Sequence, residues 1–215
     1  MSDWSSRAEA YRNAPEQREG EDLDLIVRWA EGAHTALDVA TGGGHVARRL
    51  RQAGLQVVSS DPAPGMQPDV IAHAEDLPFA DGSFDVVATR IAAHHFADVR
   101  AAVAEMARVS TRLVVLEDTL YLSEQQEEAE RLRDPTHVRS YSEDEWREML
   151  TAAGLEIEQV ECFEKVHVLS EWLARTGCEG EQAQRVRELL GPVLTPDGKA
   201  WRDVKIVLKA RKSQR

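Results

Sequence analysis

The chain has 215 residues, of which 42% are hydrophobic and 30% are charged. This length and apolar content allow one well-cored domain and exclude a disordered chain. Asp and Glu (38) outnumber Lys and Arg (26), and the formal net charge of -12 would repel a nucleic-acid backbone, so we expect no nucleic-acid partner.

The first twenty residues are polar and charged, with no apolar run long enough for a signal peptide or a membrane span. The two cysteines, Cys162 and Cys178, have neither a metal-ligand spacing nor a disulfide-rich context. These features predict a cytoplasmic protein with no membrane partner.

The first α/β unit follows a polar leader. Apolar residues at helical spacing over 22–30 predict an amphipathic helix, which Gly32 ends. Residues 36–40 predict a short buried strand, followed by the glycine turn 41–44 and a helix through Arg51. This order is the first unit of a doubly wound fold.

Six further strands are predicted from short apolar runs. They span 57–61, 69–72, 84–89, 113–116, 155–163 and 203–209. Helices are predicted over 99–109, 123–133 and 170–190, and between Ser142 and Gly154, where Glu145 completes a capping box. The second crossover helix must be stunted or absent, because a parallel connection usually needs a dozen or more residues.

Residues 205–215 form the only basic stretch, in which lysines alternate with apolar residues. We interpret it as an edge strand with a solvated tail, since lysine on an edge strand is a common protection against aggregation.

The glycine turn indicates a nucleotide-type ligand, because its backbone can be approached without meeting a Cβ. Gly42-x-Gly44-x-x-Ala47 also fits the dinucleotide fingerprint, so the glycines alone do not separate a nicotinamide cofactor from S-adenosylmethionine. Asp38 favours the latter: a carboxylate is repelled by pyrophosphate but attracts an ammonium or sulfonium, by about 4 kcal/mol at contact with an effective dielectric near 20.

Asp61 ends the second strand at about the interval past the loop where an acid accepts both ribose hydroxyls. The alternative is that Asp61 simply begins the turn at Pro62.

Several segments together resemble a known family. Residues 38–47 (DVATGGGHVA), 74–79 (AEDLPF) and 84–87 (FDVV), with Asp61 between them, resemble the class I S-adenosylmethionine-dependent methyltransferases of the ubiquinone/menaquinone-biosynthesis-like group. Residues 90–96 (RIAAHHF) and 131–134 (RLRD), with the helix containing Glu171 and Trp172, are similar to a bacterial subgroup of undefined substrate. The resemblance covers about residues 20–211.

This resemblance implies an α/β, Rossmann-like, doubly wound fold with a seven-stranded mixed sheet in the order 3-2-1-4-5-7-6. The last strand would run antiparallel, the second crossover would be short, and a helical insertion would separate strands 5 and 6. One domain would span 1–215, with an N-terminal helical cap at 1–33 and a substrate-side insertion at 119–154.

The resemblance also implies roles for individual residues. Asp38, Gly42 and Gly44 would hold the methionine part of the cofactor, Asp61 the ribose, Ala74 and Glu75 the adenine edge, and Arg90 would line the pocket. The complete predicted cofactor-binding set is Asp38, Ala40, Thr41, Gly42, Gly44, His45, Asp61, Pro62, His73, Ala74, Glu75 and Arg90. Ala40 replaces a frequent glycine, and His73 replaces an acid that often binds the adenine amine.

His94 and His95 follow the fourth strand, at the carboxyl end of the sheet where open α/β proteins bind ligands. Histidine can remove a proton near neutral pH, so both are candidate catalytic residues. Adjacent loop residues usually point apart, and we expect only one to face the pocket. Packing or capping is the alternative role, and no metal site is expected because no cysteine-rich or His-x-x-x-His pattern accompanies them.

Arg133, His137 and Tyr141, in the insertion, are predicted to bind the acceptor; the alternative is a solvated helix face. Three aromatic residues either wall an apolar acceptor pocket or belong to the core: Trp146, Phe163 and Trp172. Tyr11, in the polar leader, is a candidate lid residue.

The sequence therefore predicts an S-adenosylmethionine-dependent methyltransferase acting on a small-molecule acceptor. The alternatives are a NAD-dependent oxidoreductase and a non-catalytic S-adenosylmethionine-binding protein. The short segment 62–68 would leave the sheet less covered near strands two and three, and a homodimer contact there is a hypothesis.

Overall fold

The computed structural model describes residues 4–13 and 15–212. Seven strands form one sheet: β1 (Thr35–Val39), β2 (Gln56–Asp61), β3 (Val70–Ile71), β4 (Phe84–Arg90), β5 (Ser110–Thr119), β6 (Leu155–Val168) and β7 (Ala200–Lys212). The described helices are α1 (Trp4–Asn13), α2 (Pro15–Arg18), α3 (Glu21–Trp29), α4 (His45–Gln52), α5 (Val99–Val109), α6 (Glu124–Arg133), α7 (Glu143–Ala152), α8 (Leu169–Ala174) and α9 (Gly180–Leu189).

The strand order is β3-β2-β1-β4-β5-β7-β6, which confirms the predicted topology. The strands from β1 to β5 pair in parallel, whereas β7 runs antiparallel to both β5 and β6. The parallel part places the ends of β1, β2, β4 and β5 along one edge of the sheet.

The prediction of an edge strand over 205–215 is wrong, because β7 lies between β5 and β6 and β6 is the edge. The alternation of lysine with apolar residues reports the two faces of a strand but not its place in the sheet. Lys205 is buried and paired with Asp203 rather than solvated.

The second crossover contains one short 3-10 turn, Pro64–Met66, as its length predicted. Helix α1 packs against this turn, where Ala8 and Met66 belong to a small apolar cluster. The Gly65 amide donates to Ser5 Oγ at 2.9 Å, and a Cβ on Gly65 would lie only 2.4 Å from Ser5. The short segment beside strands two and three is therefore packed against α1.

Helices cover both faces of the sheet. α3 and α4 pack on one face, with Leu23, Ile26 and Leu50 fully buried there. α5 and α7 pack on the other, where Met106 and Trp146 belong to the largest apolar cluster. The sheet core is therefore two-sided, as expected for a doubly wound fold.

The region between β5 and β6 divides into two parts. α7 begins in the predicted capping box of Ser142 and Glu145 and packs on the sheet. α6 packs instead with α8, α9 and the start of β7 in a third apolar cluster, which includes Trp172 and Trp201. Within the described ranges, no helix is both long and apolar enough to cross a membrane.

Candidate active site

A cavity of about 1030 Å³ lies at the carboxyl ends of β1, β2, β4 and β5. This is the edge where open α/β sheets bind ligands. We call the part lined by residues 38–75 the loop half, and the part lined by residues 94–95 and 119–205 the insertion half. The volume is at the top of the range of about 300–1,000 Å³ typical of small-molecule sites, so there is room for two ligands.

The glycine turn forms one wall of the loop half. Ala40, Thr41 and Gly42 line the cavity, whereas Gly44 does not and instead precedes α4 as its N-cap. Ala40 has φ 54° and Gly42 has φ 50°, both in the left-handed region. Alanine pays a steric cost there that glycine avoids.

Asp38 borders the cavity and also closes the turn. Its Oδ2 accepts hydrogen bonds from Thr41 Oγ1 at 2.5 Å and from the Ala47 amide at 2.9 Å. Burial raises the pKa of Asp38 to about 6, although these two hydrogen bonds favour its ionised form. Its contact with a cationic ligand remains a prediction, and the structure adds a role in fixing the turn.

Asp61 joins the end of β2 to the glycine turn. Oδ2 accepts from the Gly42 amide at 3.0 Å, and Oδ1 accepts from the Ala63 amide at 2.9 Å. The contact with Ala63 is the turn contact of the alternative interpretation, and the residue also lines the cavity. Burial raises the pKa of Asp61. The ribose contact remains a prediction.

The remaining residues of the predicted adenine region also line the loop half: Pro62, His73, Ala74 and Glu75. Glu75 Oε1 accepts from the amides of Ala97 and Asp98 at 2.9 and 3.2 Å. These contacts fix the start of α5, which directly follows the two candidate catalytic histidines.

Arg90 lines the cavity from the end of β4, within a buried network of charges. Its guanidinium donates to Asp22 Oδ2 at 2.5 Å and to Glu117 Oε2 at 3.1 Å. Lys165 Nζ donates to the same oxygen of Asp22 at 2.8 Å. Arg90 therefore ties α3 to the sheet as well as walling the cavity.

His45 and Tyr11 meet at the cavity, which both of them line. The Nε2 atom of His45 lies 3.1 Å from the Tyr11 carbonyl oxygen. This contact brings α1 against the first turn of α4, as a lid role for Tyr11 requires.

Both candidate catalytic histidines line the cavity, and their ring centroids are 4.1 Å apart. The expectation that only one would face it is wrong. They lie in a 3-10 turn, Ala93–His95, and each ring is held by a different partner. His94 contacts Asp118 and His95 contacts Thr136, so the two rings stay side by side.

The partners determine which ring nitrogen carries the proton. Asp118 accepts from the His94 amide at 2.7 Å, and its Oδ1 lies 2.5 Å from His94 Nδ1. Burial opposes ionisation of Asp118, but His94, the Thr119 amide and Lys205 together outweigh it, and the pKa of Asp118 is lowered. A carboxylate only accepts, so His94 Nδ1 carries a hydrogen, and in the neutral form of the ring Nε2 keeps its lone pair. An imidazole oriented by a carboxylate in this way can act as a general base.

His95 is held by a backbone carbonyl group rather than by a carboxylate. Its Nδ1 lies 3.0 Å from the Thr136 carbonyl oxygen, which also accepts. Burial, with a further contribution from His94, lowers the pKa of His95 to about 3. His95 therefore has the same tautomer without a supporting carboxylate.

The structure brings one of the three predicted acceptor-binding residues to the cavity. Arg133 lines it, with its guanidinium carbon 4.2 Å from the Trp172 ring centroid. His137 does not line it, because Glu127 holds its Nε2 at 3.0 Å in a buried pair. Tyr141 does not line it either and packs on Trp146.

The aromatic candidates divide between the two alternatives. Phe163 and Trp172 line the insertion half of the cavity. Trp146 is fully buried in the main core and does not line it.

Sequence reasoning missed two groups at the site. The first is Asp118, which with Glu117 follows the apolar run 113–116, and acids in that place were a usable signal. The second is Lys205, which donates to Thr119 Oγ1 and Asp203 Oδ2, both at 2.6 Å. Asp203 and Lys205 are two residues apart on a strand and therefore share a face, so two charges within an apolar strand pointed to a buried pair.

Comparison with known proteins agrees with this geometry. The family described as "Methyltransferase domain" matches residues 37–112. YcgJ of Bacillus subtilis (strain 168), described as an uncharacterized methyltransferase, is 32% identical over 207 residues, which cover 85% of this chain and 82% of YcgJ.

Two crystal structures share the fold over most of the chain. The structure of YcgJ superposes with a TM-score of 0.81 at 28% identity, covering 90% of this chain and 99% of that one. The structure of BH2331 from Bacillus halodurans C-125 gives a TM-score of 0.80 at 28% identity, covering 91% and 100%.

Proposed function

Since the chain belongs to the class I S-adenosylmethionine-dependent methyltransferases, we propose that it methylates a small molecule held in the insertion half, with His94 as general base. The enzyme is a methyltransferase and its cofactor is S-adenosylmethionine. The observation that carries the proposal is the contact between His94 and Asp118 at the cavity wall.

The charge of the loop half supports the proposal that the cofactor binds there. The cofactor supplies a methyl carbon bonded to a positively charged sulfur. The side chains of Asp38, Asp61 and Glu75 line this half, and no Lys or Arg does so among its described residues. Carboxylates attract a cation, and their effect is larger in a cavity than in water.

The residues of the turn would approach the cofactor through their backbone. A Cβ at Gly42 would meet no atom within 4 Å, so the space beside this glycine is open. The turn is held from both sides by Asp38 and Asp61. We assign the methionine part and the ribose to this wall, and the adenine to the segment from His73 to Glu75.

A small acceptor is supported by the size of the cavity and by the charge of the chain. About 1030 Å³ accommodates a cofactor and a second compact ligand. The formal net charge of -12 disfavours a nucleic-acid acceptor. We assign Arg133, Phe163 and Trp172 to the acceptor wall.

The proposed base acts when the acceptor atom carries a proton. Nε2 of neutral His94 would take that proton, and Asp118 would stabilise the resulting imidazolium while keeping its orientation. A general base contributes about 10²–10⁴ to a rate, which makes His94 measurable against binding effects.

The decisive experiment is transfer of an isotopically labelled methyl group. Pure protein is incubated with labelled S-adenosylmethionine and a metabolite extract, and the labelled product is identified by mass. We expect one small product with wild-type protein and a strongly reduced amount with His94→Gln. Label found only in nucleic acid or protein would reject the small-molecule acceptor.

Thermal stabilisation separates the proposal from its alternatives. S-adenosylhomocysteine should raise the melting temperature, and NADH should not, because only a ligand bound by the native state stabilises it. The opposite result would favour the oxidoreductase. Cofactor binding without label transfer to any acceptor would favour a non-catalytic binding protein.

We also propose a cytoplasmic location, since Cys162 and Cys178 are free. Cell fractionation tests this. The homodimer stays a hypothesis with less support than the sequence suggested, because α1 packs on the short segment near β2 and β3. A monomeric mass by light scattering at high protein concentration would count against it.

A further inference from the structure

We propose that Lys205 binds the reacting oxygen of the acceptor, and that this acceptor is a planar molecule with an acidic hydroxyl, a phenol or an enol. The inference rests on the proposed function, transfer to a small molecule in the insertion half. It adds the chemical class of the acceptor and a residue that would recognise it.

Lys205 is a buried cation at the wall of the cavity. Its side chain is 5% exposed, and it lines the insertion half. An ammonium has three N–H donors, and Thr119 Oγ1 and Asp203 Oδ2 accept from two of them. The third donor suits an anionic oxygen bound in the cavity.

The neighbours of Lys205 hold its side chain in place. Asp203 is buried, and His167 Nε2 lies 3.1 Å from Asp203 Oδ2. Burial opposes ionisation of Asp203, but Lys205 and His167 outweigh it and lower the pKa of this carboxyl. The ionised carboxylate of Asp203 therefore holds the side chain of Lys205 at the cavity wall.

Lys205 and the proposed base are each held by one of the last two residues of β5. Lys205 on β7 is directly paired with Thr119, the last residue of β5, and Asp118 precedes Thr119. Successive side chains of a strand point to opposite faces. Because β5 ends here, His94 on one side and Lys205 on the other both reach the cavity.

The insertion half also has the charge and the shape for such an acceptor. Its lining includes four cationic side chains, Arg133, Lys165, Arg175 and Lys205, but only two carboxylates, Glu130 and Glu164. The loop half has the opposite sign. Phe163 provides aromatic surface on which a planar ring can pack, and Trp172 lines the same half with Arg133 over its ring.

The reaction balances with these residues. The acceptor hydroxyl gives its proton to Nε2 of His94, and the ammonium of Lys205 stabilises the oxygen anion that forms. The oxygen bonds to the methyl carbon as the bond between that carbon and sulfur breaks, and the electron pair of that bond stays on sulfur. The proton on His94 then passes to water, while Lys205 keeps its protons.

The test uses 4-nitrophenol, because its anion absorbs visible light and reports ionisation directly. The probe is titrated over pH with protein saturated by S-adenosylhomocysteine, whose own binding is measured separately by calorimetry. We expect the bound probe to ionise at a lower pH than the free probe. In Lys205→Met the shift should disappear, and affinity for the probe should fall about tenfold.

Matched variants separate the effect of Lys205 from general damage. Lys209→Met is the control, because Lys209 is on the same strand but pairs with Glu158 and does not line the cavity. Lys205→Met leaves Asp203 without its cation, so the double variant Lys205→Met with Asp203→Asn removes both charges together. Lys205→Arg should keep part of the shift.

The outcomes distinguish this inference from the proposed function. Equal ionisation and affinity in wild type and in the folded double variant would overturn the role of Lys205. The role of Lys205 would also be overturned if wild-type protein bound 4-nitroanisole as tightly as it binds 4-nitrophenol. If S-adenosylhomocysteine binds and no phenol does, only this inference fails; if S-adenosylhomocysteine does not bind, the cofactor site itself fails.

Discussion

The two halves of the cavity are built by different kinds of contact. In the loop half, Asp38 holds Thr41 and Ala47, and Asp61 holds Ala63, all within nine residues along the chain. Asp61 also reaches Gly42, 19 residues away. In the insertion half, His94 and Asp118 are 24 residues apart, and Lys205 and Thr119 are 86 apart. The loop half therefore depends more on contacts that are short along the chain, while the insertion half depends on contacts between distant strands.

This difference predicts that buried charges of the insertion half depend on each other. Asp203→Ala should destabilise the protein by about 3–5 kcal/mol, because it leaves the ammonium of Lys205 buried and unpaired. Glu164→Ala removes an exposed partner of Arg202 and should change stability by no more than about 1 kcal/mol. Urea unfolding measures the stability of both variants. Similar losses of stability in the two would contradict the prediction that buried charges depend on each other.

Substitutions in the insertion half should lower turnover without weakening cofactor binding. His94→Gln should lower turnover about 10²–10³-fold, equivalent to about 3–4 kcal/mol, with affinity for S-adenosylhomocysteine within about twofold. Asp118→Asn should lower turnover by less, because the base remains but loses its orientation. His95→Gln is the matched control. Unchanged rates in both histidine variants would remove them from the mechanism.

The carboxyl groups of the two halves should contribute to folding stability with opposite pH dependence. Burial raises the pKa of Asp38 from 3.8 to about 6 on folding, so its stabilising contribution is complete below about pH 4 and is lost as the pH rises through 6. The loss is up to about 3 kcal/mol. Asp203 has a lowered pKa, so its contribution is present above about pH 4 and is lost as the pH falls further.

The variant Asp38→Asn tests this prediction. Its free energy of unfolding should stay flatter than that of wild type between pH 4 and 6, as measured by urea unfolding at each pH. Parallel curves for the two proteins across that interval would show that Asp38 titrates normally in the folded state.

The smallest expected effect concerns strain in the loop half. Ala40→Gly should raise the free energy of unfolding by about 0.5–1 kcal/mol, because φ 54° is unfavourable for alanine. Ala47→Gly, within α4, should instead lower it by about 1 kcal/mol or more. Thermal unfolding compares the two, and a loss of stability in Ala40→Gly would exclude strain at this turn.

Several features were predictable because they depend on neighbours in the chain. The strand, glycine turn and helix over 36–51 were predicted within a residue or two, and so was the capping box of Ser142 and Glu145. The length between β2 and β3 indicated that a crossover helix was missing. The order of the strands followed from the family resemblance rather than from periodicity.

Other features depended on partners that are distant in the chain. Periodicity placed Lys205 on a strand, but only the pairing of β7 between β5 and β6 made it a buried group of the cavity. His137 and Tyr141 were plausible acceptor ligands by position, yet Glu127 and Trp146 hold them away from the cavity.

The sequence alone determined the fold class, the glycine turn with its two acids, and the presence of histidines at the carboxyl end of the sheet. The tertiary structure decided which of these side chains meet, and it added Asp118 and Lys205 to the site. The physical reason is that turn chemistry and periodicity act over a few residues, whereas the pairing of buried charges requires strands that are far apart in the chain to lie side by side.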